Sequence, residues 1–340
     1  MKSGNKSVYR GMQVKTSRSA KIIIALLIII VITLSALLFK DRIAKLFEPN
    51  VTYPDTSSLP ADTNGAAQTK APEDTADKSK PKLTRISASN YASDRGPLIV
   101  VNASTPYVFK DEDAELLTNL YAADHPGFSL ASISESLLPE AYAALYKMTG
   151  KYTDMYGFCP IMVTASYRDY AAQDEYYRKN ATSDQNKKYY EQPGYSDHHT
   201  GYSFDVKIYD EKGDSYSYVR YGMIKAEWIT EHYMDYGFII RYPANKASVT
   251  GIDGEGNHFR YVGIPHSAYI TENMLCLEEY VKLIKRYNRD DPFEYEYNGV
   301  EYLIWYCDGS DGFIDVPAEN EYTVSGDNGG GFIVTTAKPQ

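Results

Sequence analysis

Residues 196–205, SDHHTGYSFD, constrain this chain more than any other stretch. Two adjacent histidines are followed closely by an aspartate, and neutral imidazole and carboxylate are groups that a zinc ion takes as ligands. Gly201 permits a sharp backbone turn between them. Residues 202–209 are rich in aromatic and β-branched types and read as a strand. On that strand Ser203 and Asp205 share one face, and Phe204 and Val206 the other. A histidine on a turn can therefore converge with an aspartate at the start of a buried strand. A third ligand has to come from elsewhere.

The remaining histidines are His125, His232, His258 and His266. His232 sits in a helical pattern, His125 precedes a Pro-Gly turn and His266 opens the last helix, so packing or surface roles suit all three. His258 differs. It follows Glu255-Gly256-Asn257 and begins an amphipathic strand, with His258, Arg260 and Val262 alternating. A glutamate three residues before a histidine ligand can stand near the metal without binding it, where a general base takes a proton from a water on the metal. The resulting constellation is His198, Asp205 and His258 around zinc, with Glu255 beside it. Three protein ligands leave the fourth position open, as in catalytic rather than structural sites. Arg168, in a turn at the end of strand 161–165, is the donor for charge developing on a substrate carbonyl. Each residue alone has a plainer reading as a solvated loop or salt-bridged side chain; their joint occurrence at turns and strand ends points to a site.

Charge and hydropathy divide the chain. Residues 1–21 hold six Lys or Arg and no acid, and all 45 acids follow Lys40. Against them stand 28 basic residues (35 less those six and Lys40), so the remainder carries about −17, which argues against nucleic acid as a partner. Residues 22–39 are uncharged and just long enough to span a bilayer as a helix. No small-x-small cleavage site follows. The reading is an uncleaved anchor with its basic end in the cytoplasm and the rest outside the cell membrane of a Gram-positive-type bacterium. Residues 40–85 are a spacer rich in Pro, Thr, Ser, Ala and Asp. Residues 86–290 form the chemistry-bearing domain, and 291–340 a small β-rich extension opened by a hairpin around Asn298-Gly299.

Within the body, residues 98–101 read as a buried strand and 111–123 as a helix. A helix over 138–152, a strand over 161–165 and a helix carrying Gln173 follow. A long helix spans 218–236, then a strand 238–242, a Gly-rich loop 247–257, a strand 258–262 and a single helix 271–287. Three widely spaced cysteines make no metal pair and no disulfide is expected.

Ser196-x-His198-x-x-Gly201-x-Ser203-x-Asp205 resembles the S-x-H-x-x-G-x-A-x-D signature of the VanY-type D-alanyl-D-alanine carboxypeptidases, zinc peptidases of bacterial cell walls. Ser166-Tyr167-Arg168 with Gln173 is similar to a shortened S-x-Y-R-S…Q segment of that family. The stretches 236–243, 250–252, 258–263 and 275–280, with Lys246, follow it closely. The resemblance covers residues 96–288. It implies a compact α+β fold, an antiparallel sheet flanked by helices, holding Zn2+ in a groove. It implies His198, Asp205 and His258 as ligands, Glu255 as base, and Arg168 as donor to the substrate carbonyl or terminal carboxylate. Gln173, Ser196 and Ser203 become substrate-side residues. The implied activity is removal of the terminal D-Ala from peptidoglycan stem peptides. An LD-carboxypeptidase, an endopeptidase or a wall-binding homologue with a weakened site are the alternatives. Two departures stand out: Ser203 replaces alanine, and Glu255-Gly256-Asn257-His258 replaces E-P-W-H, removing a rigid proline and a bulky tryptophan.

Overall fold

The computed structural model describes residues 81–123, 127–209, 215–216 and 224–339. The apolar run 22–39, nearly all of the spacer and His125 lie outside the described residues. Among the described residues no helix is long and apolar enough to cross a membrane. They fall within one compact unit, Thr75–Gln340.

In chain order the unit begins with strand β1 (Leu83–Ser87), helix α1 (Pro139–Tyr156), strand β2 (Ile161–Ala165), helix α2 (Tyr170–Asn180) and strand β3 (Ser203–Tyr209). Helix α3 (Ile224–His232), strands β4 (Phe238–Tyr242) and β5 (Glu255–Tyr261), and helices α4 (His266–Glu272) and α5 (Leu277–Ile284) follow. Strands β6 (Phe293–Tyr297), β7 (Val300–Cys307), β8 (Phe313–Pro317), β9 (Tyr322–Gly326) and β10 (Phe332–Ala337) close the chain. The architecture is mixed helix and sheet, with antiparallel pairing dominant.

The sheet that carries the site runs β2-β3-β5-β4, all antiparallel, with Ser129–Leu130 added parallel to β2 and Ser215–Tyr216 paired to β3. Helix α1 forms because Pro139 opens it, Gly157 closes it in a left-handed cap, and its apolar residues recur at helical spacing. Ala141, Leu145, Met148 and Tyr152 pack on the inward residues of β2 and β3, including Val163, Phe204 and Val206. That burial, about 1.5–3 kcal/mol for each large apolar side chain, holds β3 flat against the core. The opposite edge of its pleat is then free for polar groups. Asp205 lies directly across from His258 on β5 and from Ala165 on β2, and such opposed pairs bring their Cβ atoms to about 4.5–5.5 Å.

The structure differs from five of these expectations. Residues 98–101 are buried but form no strand. Their carbonyls are taken by side chains: Arg260 Nη2 donates to Ile99 O at 3.0 Å and Arg241 Nη2 to Val101 O at 3.1 Å. Residues 111–123 are turns and a two-residue strand, Thr118–Asn119, rather than a helix. Asp113 accepts from Lys110 N–H and Asn119 from Ala122 N–H, local bonds that compete with helical ones. The single helix over 271–287 is two, α4 and α5, separated at Met274 (φ 52°). The second starts afresh because the Glu279 carboxylate accepts from Cys276 N–H. The loop 247–257 contains a short helical turn, Ala247–Thr250, and strand β5 already begins at Glu255. The helix read over 218–236 is described from Ile224 and ends in a 3-10 turn, Tyr233–Tyr236.

The C-terminal strands form a sheet in the order β6-β7-β10-β9. Asn298 (φ 51°) and Gly299 (φ 78°) make the primed turn of the β6–β7 hairpin. One face buries Phe293, Ile304 and Ile333 against α5 and Leu98. The other buries Leu303, Trp305 and Val334 against Ile314 and Val316 of β8. Strand β1 pairs with β8, so ordered structure starts at Leu83, inside the segment read as spacer. The three cysteines are free.

Candidate metal centre

His198 lies on a 3-10 turn, Asp197–Thr200, that Ser196 caps and Gly201 closes at φ 71°. Its Nδ1 is 2.7 Å from the Ser166 carbonyl. A carbonyl only accepts, so Nδ1 carries the hydrogen and the Nε2 lone pair is left for another partner. Nε2 points to Asp205, 3.3 Å from Oδ2. His258 presents Nδ1 to Asp205 Oδ1 at 3.0 Å, while its Nε2 faces Asp197 Oδ2 at 3.5 Å. One ligand atom from each of His198, Asp205 and His258 lies within 4.8 Å of the others. Ligand atoms of a tetrahedral zinc, at bond lengths of about 2.0–2.2 Å, stand roughly 3.4 Å apart. The donor set and its spacing fit such an ion, and the second nitrogen of each imidazole already faces an oxygen that fixes the ring.

The electrostatics point the same way. Burial lowers the His258 imidazole, but Asp197, Asp205 and Glu191 more than reverse this and raise it to about 10. Burial raises Asp205, and His198 and His258 outweigh it, holding the carboxyl well below its usual range. A carboxylate-rich pocket that retains a proton so strongly is one in which a metal cation can replace it.

Two acids that the sequence reading missed complete the pocket. Asp197 is fully buried. Its Oδ1 accepts from Arg241 Nε at 3.2 Å and Arg260 Nη1 at 2.5 Å, and its Oδ2 from the Ser203 hydroxyl. Burial raises its carboxyl, yet Arg260 and Arg241 hold it well below the usual range. The available signal was the pair of arginines on otherwise apolar strands, each requiring a buried anion. Glu191 accepts at Oε1 from the Tyr242 hydroxyl at 2.7 Å and from Asp197 N–H at 3.4 Å.

Arg168 leaves the end of β2 with its guanidinium 4.2 Å above the Tyr176 ring. Nη1 donates to Gln173 Oε1 at 2.9 Å, and Nη2 lies 3.5 Å from Asp205 Oδ2. Gln173 Nε2 donates to the Glu191 carbonyl at 2.7 Å. His199 is not part of the ligand cluster. Burial pulls its imidazole down to about 4; Nδ1 donates to Arg168 O at 2.6 Å and Nε2 accepts from Gly194 N–H at 2.9 Å.

Gln173, Ser196 and Ser203, read as substrate-side residues, are all 0% exposed. Each uses its polar atoms on protein partners, so they shape the site from behind. Gln173→Ala leaves Arg168 and the Glu191 carbonyl short of a partner, at about 1–3 kcal/mol for a buried group. A drop in Tm of several degrees with metal content unchanged is the expected calorimetric result; an unchanged Tm contradicts this supporting role.

Glu255 is the first residue of β5, paired with Tyr242. Strict alternation would send residues 255 and 258 to opposite faces. The β4–β5 register is irregular here: Ile240 to Tyr242 on β4 matches Phe259 back to Glu255 on β5.

Residues 134–264 match the family described as VanY, D-alanyl-D-alanine carboxypeptidase. Residues 134–264 are thus a VanY-type segment of the chain. The matched segment contains Arg168, Gln173, Ser196, His198, Ser203, Asp205, Glu255 and His258. A D-alanyl-D-alanine carboxypeptidase of Enterococcus faecium is 35% identical over 180 residues, 53% of this chain and 54% of the relative. The bifunctional D-Ala-D-Ala dipeptidase and carboxypeptidase VanXYC of Enterococcus gallinarum is 40% identical over 95 residues, 28% of this chain and 50% of the relative. The chain thus spans about half the length of these curated relatives. Among solved structures, the vancomycin-resistance D,D-dipeptidase VanXYg, in complex with a D-Ala-D-Ala phosphinate analogue, is 27% identical with a TM-score of 0.63. The likeness covers 76% of this chain and 99% of that one.

Proposed function

We propose that this chain, through its VanY-type segment, is a zinc-dependent D-alanyl-D-alanine carboxypeptidase that removes the terminal D-alanine of peptidoglycan stem peptides. The convergence of His198 Nε2, Asp205 and His258 Nδ1, with the His198 tautomer fixed by Ser166, carries the reading. When bound, zinc supplies a Lewis acid that polarises the scissile carbonyl and makes water acidic near neutral pH. Glu255, three residues from His258, accepts the proton of the attacking water and passes it to the leaving amine. Arg168, held by Gln173 and Tyr176, offers its guanidinium to the carbonyl oxygen or the terminal carboxylate of the peptide. The relatives' D-Ala-D-Ala activities and the phosphinate ligand of the structural neighbour support a D,D-peptide substrate.

The test is mass spectrometry of a D-Ala-D-Ala-terminated pentapeptide, an LD-tetrapeptide and free D-Ala-D-Ala after incubation with the protein, with and without chelator. Chelator-sensitive loss of one alanine from the pentapeptide is expected. Cleavage of the tetrapeptide alone selects the LD reading, and cleavage of none selects a binding homologue. Residues 22–39 are proposed as the membrane tether that leaves this domain outside the cell. Protease added to intact cells then sheds the domain; a protected domain contradicts the orientation.

A further inference from the structure

Next to the metal centre lies a cleft of about 380 Å³. Its wall begins one ring away from His258: the Tyr242 ring is 4.9 Å from the imidazole and lines the cleft. Glu191 also lines it and is only 8% exposed. Both bonds to its carboxylate go to Oε1, and no hydrogen bond or ion pair engages Oε2 among the described residues. A buried carboxylate oxygen with no hydrogen bond, beside a cavity, is able to accept from a donor that enters the cavity.

The other walls say which donor. Tyr177, Tyr190 and Tyr195 line the same cleft as Tyr242 and the acid, and aromatic faces attract cations. Two lysines at the rim do not supply the charge. Lys187 is 2.8 Å from Asp184, and Lys188 is 2.5 Å from Asp253; both side chains are about half exposed. A carboxylate within a tyrosine-lined cleft suits a compact ammonium group and disfavours an anion. The cleft is also tied to the reacting end of the site, since Gln173 bridges the Glu191 carbonyl to Arg168.

We infer that Glu191 and its surrounding tyrosines form a subsite for an ammonium group of the substrate. The inference rests on the peptidase reading and adds to it a substrate feature: a positive charge close to the scissile D-Ala-D-Ala unit. Two sources share this chemistry, the side-chain amine of the preceding residue and the free α-amine of a D-Ala-D-Ala dipeptide.

The test compares kcat/KM for acetyl-Lys-D-Ala-D-Ala, the same peptide with its lysine Nε acetylated, free D-Ala-D-Ala and N-acetyl-D-Ala-D-Ala. Affinity of the same four compounds is measured by calorimetry on zinc-loaded protein. Neutralising the recognised amine should cost about tenfold to a hundredfold, the range of a hydrogen bond to a charged group. The sensitive pair identifies the source. In Glu191→Gln, whose amide oxygen can still accept from Tyr242 and Asp197, that ratio should fall towards one. Equal rates and affinities within both pairs overturn the subsite while leaving the peptidase reading intact. If no peptide is cleaved, the peptidase reading fails, and the calorimetric ratios alone decide the subsite: unequal supports it, equal overturns it.

Discussion

Asp197→Ala is expected to cost the fold about 3–5 kcal/mol, the range for removing one partner of a buried ion pair. The size follows from what is left behind. Arg241 and Arg260 are both 0% exposed and both donate to Asp197 Oδ1. Arg241 keeps Glu278, whose carboxylate oxygens lie 2.7 and 2.9 Å away. Among the described residues, Arg260 keeps backbone carbonyls, from Pro97, Ile99 and Tyr261, and the Tyr202 ring at 5.5 Å. Its charge then has no anion in a dry interior. The loss also reaches the metal centre, because Asp197 Oδ2 faces His258 Nε2, and such outer partners are worth about 10–100-fold in metal affinity. Denaturant unfolding of the zinc-free protein isolates the first effect. A loss below about 1 kcal/mol would show that the arginines find other compensation and that Asp197 is not the keystone of this core.

Glu255→Gln should lower kcat by about 10²–10⁴, the range for removing a positioned acid–base group. Zinc content and Tm should be unchanged, since Glu255 is not one of the three proposed ligands. This separates a base from a ligand: loss of metal from Glu255→Gln would move Glu255 into the coordination sphere. Full activity with metal retained would remove it from the mechanism. The variant matters more here than in a chain with the family's E-P-W-H, because Gly256 and Asn257 replace the rigid proline and the tryptophan.

The legible and illegible parts of this chain divide on physical grounds. Local pattern was enough for α1, with its proline and glycine ends, for β2 and β3, and for the Asn298-Gly299 hairpin, because each is decided by residues within a few positions. The site motif was legible because turn, ligand and strand are contiguous from Ser196 to Asp205. The convergence of Asp205 with His258 is different: it is a matter of strand register, which the sequence does not show, and it was reached instead from ligand chemistry and from the family resemblance. What failed depended on distant partners. Residues 98–101 have strand-like composition, but two buried arginines claim their carbonyls from across the sheet. Asp197 and Glu191 look like solvated loop acids until the arginines and Tyr242 are folded around them. Gln173, Ser196 and Ser203 belong to the motif yet are fully buried, since a motif records position in sequence and not exposure.

In the proposed site His198, Asp205 and His258 hold one catalytic zinc, and of the two adjacent histidines only His198 is a ligand. The most direct measurement is metal content per chain, by elemental mass spectrometry of the purified wild type, His198→Ala and His199→Ala after dialysis against limiting zinc. The geometry predicts about one zinc, almost none, and about one, respectively. Equal zinc in all three, or loss from His199→Ala alone, would contradict the account.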